Sequence, residues 1–289
     1  MRWQFGRRSN NVEDQRGSGG IPGGMVVSGG IGTVILALIA MFLGVDPSII
    51  LNGAVSVNNN PYPAQNTAPG QTSPREDKLA DFVSVVLADT EDTWSQIFRE
   101  NGAVYQEPRL VLFSGTVQSA CGYAQAAMGP FYCPADRKVY IDLSFYQDLK
   151  TRHNSPGDFA QAYVVAHEIG HHVQNLLGIS SKVQSLQKQV GEVKANQLSV
   201  RLELQADCFA GVWANRADRE RQIIESGDVE EALNAASNIG DDRLQSQARG
   251  YVVPDSFTHG SSAQRVRWFR KGLQTGDINQ CDTFSVAKP

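Results

Sequence analysis

The longest unbroken apolar stretch, "IPGGMVVSGGIGTVILALIAMFLGV" from Ile21 to Val45, contains no charged residue. Its last 21 residues, Met25 to Val45, would span as a helix at ~1.5 Å per residue the roughly 30 Å of a bilayer's hydrocarbon. The pattern predicts a transmembrane anchor over 25–45. A cleaved signal peptide is the main alternative, although its apolar stretch is usually about 7–15 residues with a small-residue exit; a buried soluble helix is another. Residues 46–75 then turn polar, with "NGAVSVNNNPYPAQNTAPGQTSP" offering little to bury, and read as a solvated linker. Beyond it "SPRE" carries a helix start, with Ser73 as N-cap, Pro74 at the first helical position and Glu76 completing a capping box; Gly102 ends that helix after Glu100. Strand-like runs follow in "RLVLFSGTV" and "KVYIDLSF", and after Leu143 the periodicity is helical almost to the end. Strands first and helices later predict an α+β domain over 76–289, with no internal repeat.

Within the helical part, "AYVVAHEIGHHVQNLLGI" (162–179) lies on a helix for which Ser155, Pro156 and Asp158 read as start signals and Gly178 as the stop. His167 and His171, four apart, project from one face. Two such imidazoles can hold one Zn²⁺ at about 2.0–2.1 Å each, and Glu168 beside the first can act on activated water as general base. A catalytic zinc needs a third protein ligand and a position left for water. Gln174 and Leu177 stand where a metzincin has glycine and histidine, which excludes that class. A glutamate from a later helix is the other solution, and "RLELQADCFAGVWA" supplies Glu203 and Asp207 on one face.

Charge removes some functions. A net charge of −4 without a basic block offers no field for nucleic acid. Arg2, Arg7, Arg8 and Arg16 precede the apolar run and no charge follows Asp46 until Arg75. By the retention of cationic flanks inside, residues 1–24 read as a basic cytoplasmic tail, with the rest outside. The cysteines bear on this. Cys121, Cys133, Cys208 and Cys281 form no C-x-x-C, and an even count in an exported domain favours disulfides. Proximity pairs Cys121 with Cys133, leaving Cys208 with Cys281; four buried thiols is the alternative.

Other positions have weaker signals. Gly170 in mid-helix costs ~1 kcal/mol relative to alanine, which points to another element packed closely beside the histidines. His259 in "FTHGSSAQRVRWF" is a candidate oxyanion stabiliser, or a solvated residue before a helix capped by Ser261. "KVYIDL" alternates with period two and reads as an edge strand for a peptide or as ordinary core. His172, one position off the ligand face, and His153, in a polar loop, are not expected to bind metal.

H-E-x-x-H followed by E-x-x-A-D, here His167, Glu168, His171 and then Glu203, Ala206, Asp207, resembles the glutamate-ligand zincins, among them thermolysin-like and HtpX-like peptidases. That resemblance implies a zincin-like domain of small sheet plus helices, with Glu203 as third zinc ligand and Asp207 orienting a ligand histidine. His259 with Arg265 six residues on resembles the late Thr-His-Pro segment of HtpX-like enzymes, with Gly260 in place of the proline. More narrowly, "MRWQFGRRSNNVEDQRG", "GPFYCPADRKVYIDLSF", "AHEIGHHVQNLLG" and "SFTHGSSAQRVRWF" are similar to the neutral zinc metallopeptidases of bacteria, the YpfJ-like family, over nearly the whole chain.

The expectation is therefore a single-pass protein of the bacterial inner membrane, N-terminus inside and catalytic domain periplasmic or extracellular, with one zinc per chain. It would hydrolyse peptide bonds of proteins or peptides, Glu168 serving as general base. A latent or non-catalytic zinc-binding scaffold is the competing reading; oligomeric state and cleavage preference leave no mark on the sequence.

Overall fold

The computed structural model describes residues 1–17 and 73–289. The expected membrane helix over 25–45, and all but the last residues of the expected linker, lie outside that range. Among the described residues no helix is long and apolar enough to cross a membrane.

The first helix, α1 (Pro74–Glu100), starts as its sequence dictates: the Ser73 hydroxyl accepts from the Glu76 amide and the Glu76 carboxylate accepts from the Ser73 amide. Strand β1 (Val12–Asp14) precedes it; β2 (Arg109–Phe113), β3 (Thr116–Ser119), β4 (Gly122–Gln125), β5 (Phe131–Cys133) and β6 (Lys138–Asp142) follow. A four-stranded sheet runs β1-β2-β6-β5, and β3 with β4 forms a separate hairpin. β1, β2 and β6 are parallel, whereas β5 is antiparallel to β6. The chain then continues as α2 (Phe145–Thr151), α3 (Asp158–Leu176), α4 (Ile179–Gln187), α5 (Glu192–Arg221), α6 (Asp228–Asn238), α7 (Asp241–Arg249) and α8 (Ser262–Thr275). This is the mixed α+β arrangement with small sheets that the pattern predicts, and it is consistent with a zincin-like domain.

The main core lies between the sheet and α1, α3, α5 and α8, filled by Trp94, Phe159, Tyr163, Phe209, Trp213 and Phe269. A smaller cluster on the other side of the sheet, including Val111, Phe113, Phe131 and Tyr140, is covered by the β3–β4 hairpin. Two glycines set how closely α5 and α8 approach: a Cβ on Gly211 would lie 2.1 Å from the Phe269 carbonyl oxygen, and one on Gly272 2.0 Å from that of Cys208. Both disulfides have the pairing that proximity favours, Cys121–Cys133 and Cys208–Cys281. The second ties α5, one residue past Asp207, to the turn Ile278–Cys281.

Two expectations need correction, and one left open is decided. Residues 1–17, expected as part of a tail separated from the domain, belong to it. β1 pairs Val12, Glu13 and Asp14 with Leu110, Val111 and Leu112, and Met1 and Trp3 are buried. A three-residue strand is too short to show an alternation, so only the fold reveals it. Of the two readings of "KVYIDL", ordinary core strand is the one found: β6 lies between β2 and β5, with Val139 to Asp142 all buried, and β1 and β5 are the edges. Finally, Ser155 does not cap α3. Gly157, at φ 125°, is the N-cap, and the Phe159 amide donates to Glu231 Oε2 of α6 at 3.1 Å. The stop at Gly178 is as read, with its φ of 72° in the left-handed region.

Candidate active site

α3 and α5 cross where Gly170 meets Ala206: a Cβ on Gly170 would be 3.0 Å from the Ala206 Cα and carbonyl oxygen. The close approach anticipated for this glycine brings the two motif helices together. His167 Nε2 lies 3.1 Å from Glu203 Oε2, and His171 Nε2 lies 3.4 Å from Glu203 Oε1. One ligand atom from each of the three residues falls within 4.8 Å of the others. Tetrahedral ligands at about 2.0–2.1 Å from a Zn²⁺ stand ~3.3 Å apart, so these separations fit a shared ion.

The outer nitrogens reinforce that fit. His167 Nδ1 is 2.9 Å from Asp207 Oδ1, and His171 Nδ1 is 2.9 Å from Gln174 Oε1. An acceptor at Nδ1 holds the proton there and leaves the Nε2 lone pair facing inward, as a metal ligand requires. Gln174 is itself fixed, because its amide nitrogen donates to the Leu202 carbonyl at 2.7 Å and to Gln205 Oε1 at 3.1 Å. The two imidazole nitrogens and one carboxylate oxygen form a donor set suited to zinc.

Asp207, wholly buried, is the hub behind this face. Beyond His167 it accepts from Tyr163 Oη at 2.5 Å and from Arg265 through Nε and Nη2, each at 2.9 Å. Burial alone would raise its carboxyl, but the Arg265 charge and His167 hold it below the usual aspartate range. Arg265, 3 % exposed, is brought to it by the tight α5–α8 crossing. Glu168 is 8 % exposed and borders a cavity that His167, His171 and Glu203 also line; burial pushes its carboxyl above the ordinary value, against the pull of the histidine charges.

His259 also borders this cavity, and the Glu203 carboxylate is among the charges that raise its pKa against burial. Its loop is wrapped around the buried Asp241, whose Oδ2 accepts the amides of Thr258, His259 and Gly260 at 2.8, 2.7 and 2.9 Å. Asp241 Oδ1 lies 3.4 Å from His259 Nδ1. Gly260 has φ 91°, a conformation closed to proline, whose ring fixes φ near −65°. The departure from the Thr-His-Pro pattern therefore serves this turn.

The cavity, about 510 Å³, has an apolar lining to which Phe131 and Tyr132 of β5, Phe145, Val164, Val183 and Leu202 contribute. His172 stays outside the ligand set, as expected: its ring nitrogens face Tyr132 Oη at 3.0 Å and the Gln106 carbonyl at 2.6 Å, and burial pushes its pKa down to about 4. His153, read as a loop residue, borders the cavity. The roles of Gln174, Tyr163 and Asp241 were not read from the sequence. Gln174 and Tyr163 had a signal, lying three after His171 and four before His167 on the ligand face. Asp241 had none, since it acts from another element.

Comparison with known proteins gives the same site a family. A family model described as "Putative neutral zinc metallopeptidase" matches residues 1–284. "Uncharacterized protein YpfJ" of Escherichia coli strain K12 is 51% identical over 294 residues, covering 98% of this chain and 99% of that one. "Uncharacterized protein Mb2605" of Mycobacterium bovis is 41% identical over 259 residues, covering 86% of each. No solved structure matches. With its motif helices joined around one set of zinc-type donors, the chain belongs to this family of neutral zinc metallopeptidases.

Proposed function

We propose that this protein is a zinc-dependent endopeptidase whose catalytic domain works outside the cytoplasm of a bacterium, held at the inner membrane by the apolar run 25–45. The observation that carries the reading is the convergence of His167, His171 and Glu203, with Nε2–carboxylate separations of 3.1 and 3.4 Å and both Nδ1 atoms held by acceptors. The two disulfides support an oxidising compartment.

These three residues would hold zinc, one ion per chain. When bound, zinc supplies Lewis acidity, lowering the pKa of water from ~15.7 toward ~7 and polarising a carbonyl. Glu168 takes the proton of the attacking water and returns it to the leaving amine. His259 donates to the oxyanion that forms on the peptide carbonyl. Asp207, Tyr163 and Gln174 keep the imidazoles in the ligating tautomer and orientation. The substrate backbone lies along β5, the edge strand that borders the cavity, and the apolar wall selects a bulky apolar side chain near the scissile bond. Digestion of casein and a peptide library with and without chelator tests this: cleavage that chelator stops and zinc restores is expected. Zinc binding without cleavage of any substrate would favour the scaffold reading.

Two further results are expected. His259→Ala lowers kcat about 100-fold, the usual order for one oxyanion donor, with KM and zinc content little changed. Asp241→Asn can keep the three amide bonds through its carbonyl but turns an N–H₂ toward Nδ1; it lowers kcat about 10-fold, less than loss of the donor itself, and adds nothing in the His259→Ala background. Additive losses would show that Asp241 does not act through His259.

A further inference from the structure

The docking of residues 1–17 bears on which side of a membrane they occupy. Glu91 of α1 is 1 % exposed, and among the described residues its carboxylate bonds come from that segment: Ser9 Oγ at 2.5 Å, Asn11 Nδ2 at 2.9 Å and Arg7 Nη2 at 2.9 Å. Residues 7–11 both cover this carboxylate and pair it, and without them all three bonds would be lost. The backbone is engaged as well. Gly6 sits so close to α1 that a Cβ would fall 2.5 Å from Val85 Cγ1, the Ser9 amide donates to the Ser84 carbonyl at 3.1 Å, and Gln15 extends the β1 pairing by donating to the Leu112 carbonyl at 2.8 Å. Trp3 packs edge-on against Phe82 at 5.4 Å.

The arginines that read as a cytoplasmic flank are the other half of the argument. Arg7 pairs with Glu91 and Asp92, Arg8 with Asp81 through two bonds of 2.9 and 2.7 Å, and Arg16 with Asp14 and Asp77. Arg2 lies 3.7 Å from Glu225. Each of the four meets acidic groups of the folded domain, so their presence is explained by docking, without a need for retention inside the cell. The Arg16–Asp77 contact, 3.3 Å, also places residue 16 beside the start of α1.

We infer that residues 1–17 and the catalytic domain lie in one compartment, on the same side of any bilayer. A single crossing would hold the segment and its Glu91 site about 30 Å apart on opposite faces, and neither could fold as described. With the domain outside, as its disulfides favour, the arginine-bearing segment is outside with it. This replaces the arrangement of N-terminus inside and domain outside, and it stands independently of the peptidase reading.

Cysteine accessibility in cells tests it. All four native cysteines are in disulfides, and Phe5 and Val104 are 102% and 86% exposed, so Phe5→Cys and Val104→Cys each add one reachable thiol without disturbing a contact. The full-length variants are exposed to a membrane-impermeant maleimide before and after cell lysis, lysis giving the labelling maximum for each. The expected result is that both thiols behave alike, labelling together in intact cells or together only after lysis. If one labels in intact cells and the other only after lysis, the two segments lie on opposite sides and the inference is overturned.

Discussion

Asp207→Ala should cost about 3–5 kcal/mol of stability and weaken zinc binding about 10–100-fold, although Asp207 does not touch the ion. Its removal leaves the Arg265 guanidinium, 3 % exposed, without a carboxylate; the neighbours that remain are the Tyr163 hydroxyl, the Ile239 carbonyl and His167 Nδ1 at 3.5 Å. An unpaired buried charge is a far larger penalty than a lost surface ion pair. The same change frees His167 Nδ1, so the ring can rotate or shift its proton to Nε2, the atom that faces Glu203. Asp207→Asn keeps the volume and part of the hydrogen bonding, and should fall between the variant and wild type on both measures. The carboxyl is held below its ordinary 3.8; the pair's contribution is present above that pH and is lost as pH falls through the depressed value. Denaturant unfolding and competitive zinc titration measure the two effects. A loss under 1 kcal/mol with unchanged zinc affinity would remove Asp207 from the account.

Glu168→Gln separates chemistry from metal binding. General-base catalysis contributes typically 10²–10⁴-fold, so kcat should fall about 1,000-fold or more while zinc stoichiometry stays as in wild type, since Glu168 is not among the converging donors. Thermal stability should be little changed, because glutamine keeps the shape of this buried side chain. Metal analysis, peptide cleavage and a melting curve on one preparation give all three readings. Wild-type turnover in this variant would mean that another group takes the proton.

What the sequence made legible was local. The caps at Ser73 and Ser261, the stop at Gly178 and the close approach at Gly170 all rest on interactions within a few residues or on the absence of a side chain, and each is found. The ligand face was legible because four-residue spacing on a helix is a geometric rule. What was hidden depends on distant partners. Glu231 caps α3 from another helix, displacing Ser155. Asp241 shapes the His259 turn from α7, and β5 takes the edge because the short return after Cys133 folds it outside β6. The docked segment 1–17 shows this most clearly. Its arginines carry the same letters whether they flank a membrane or pair with acids, and only the positions of Asp81, Glu91 and Asp77 on one helix distinguish the two.

The zinc content of purified full-length protein after exhaustive dialysis, wild type beside Glu203→Ala, tests the central claim most directly. Convergence of α3 and α5 on one ion predicts about one zinc retained per wild-type chain and far less in the variant, which lacks one of three protein ligands. Equal retention in both, or none in either when zinc is supplied, would show that Glu203 and the two histidines do not share an ion.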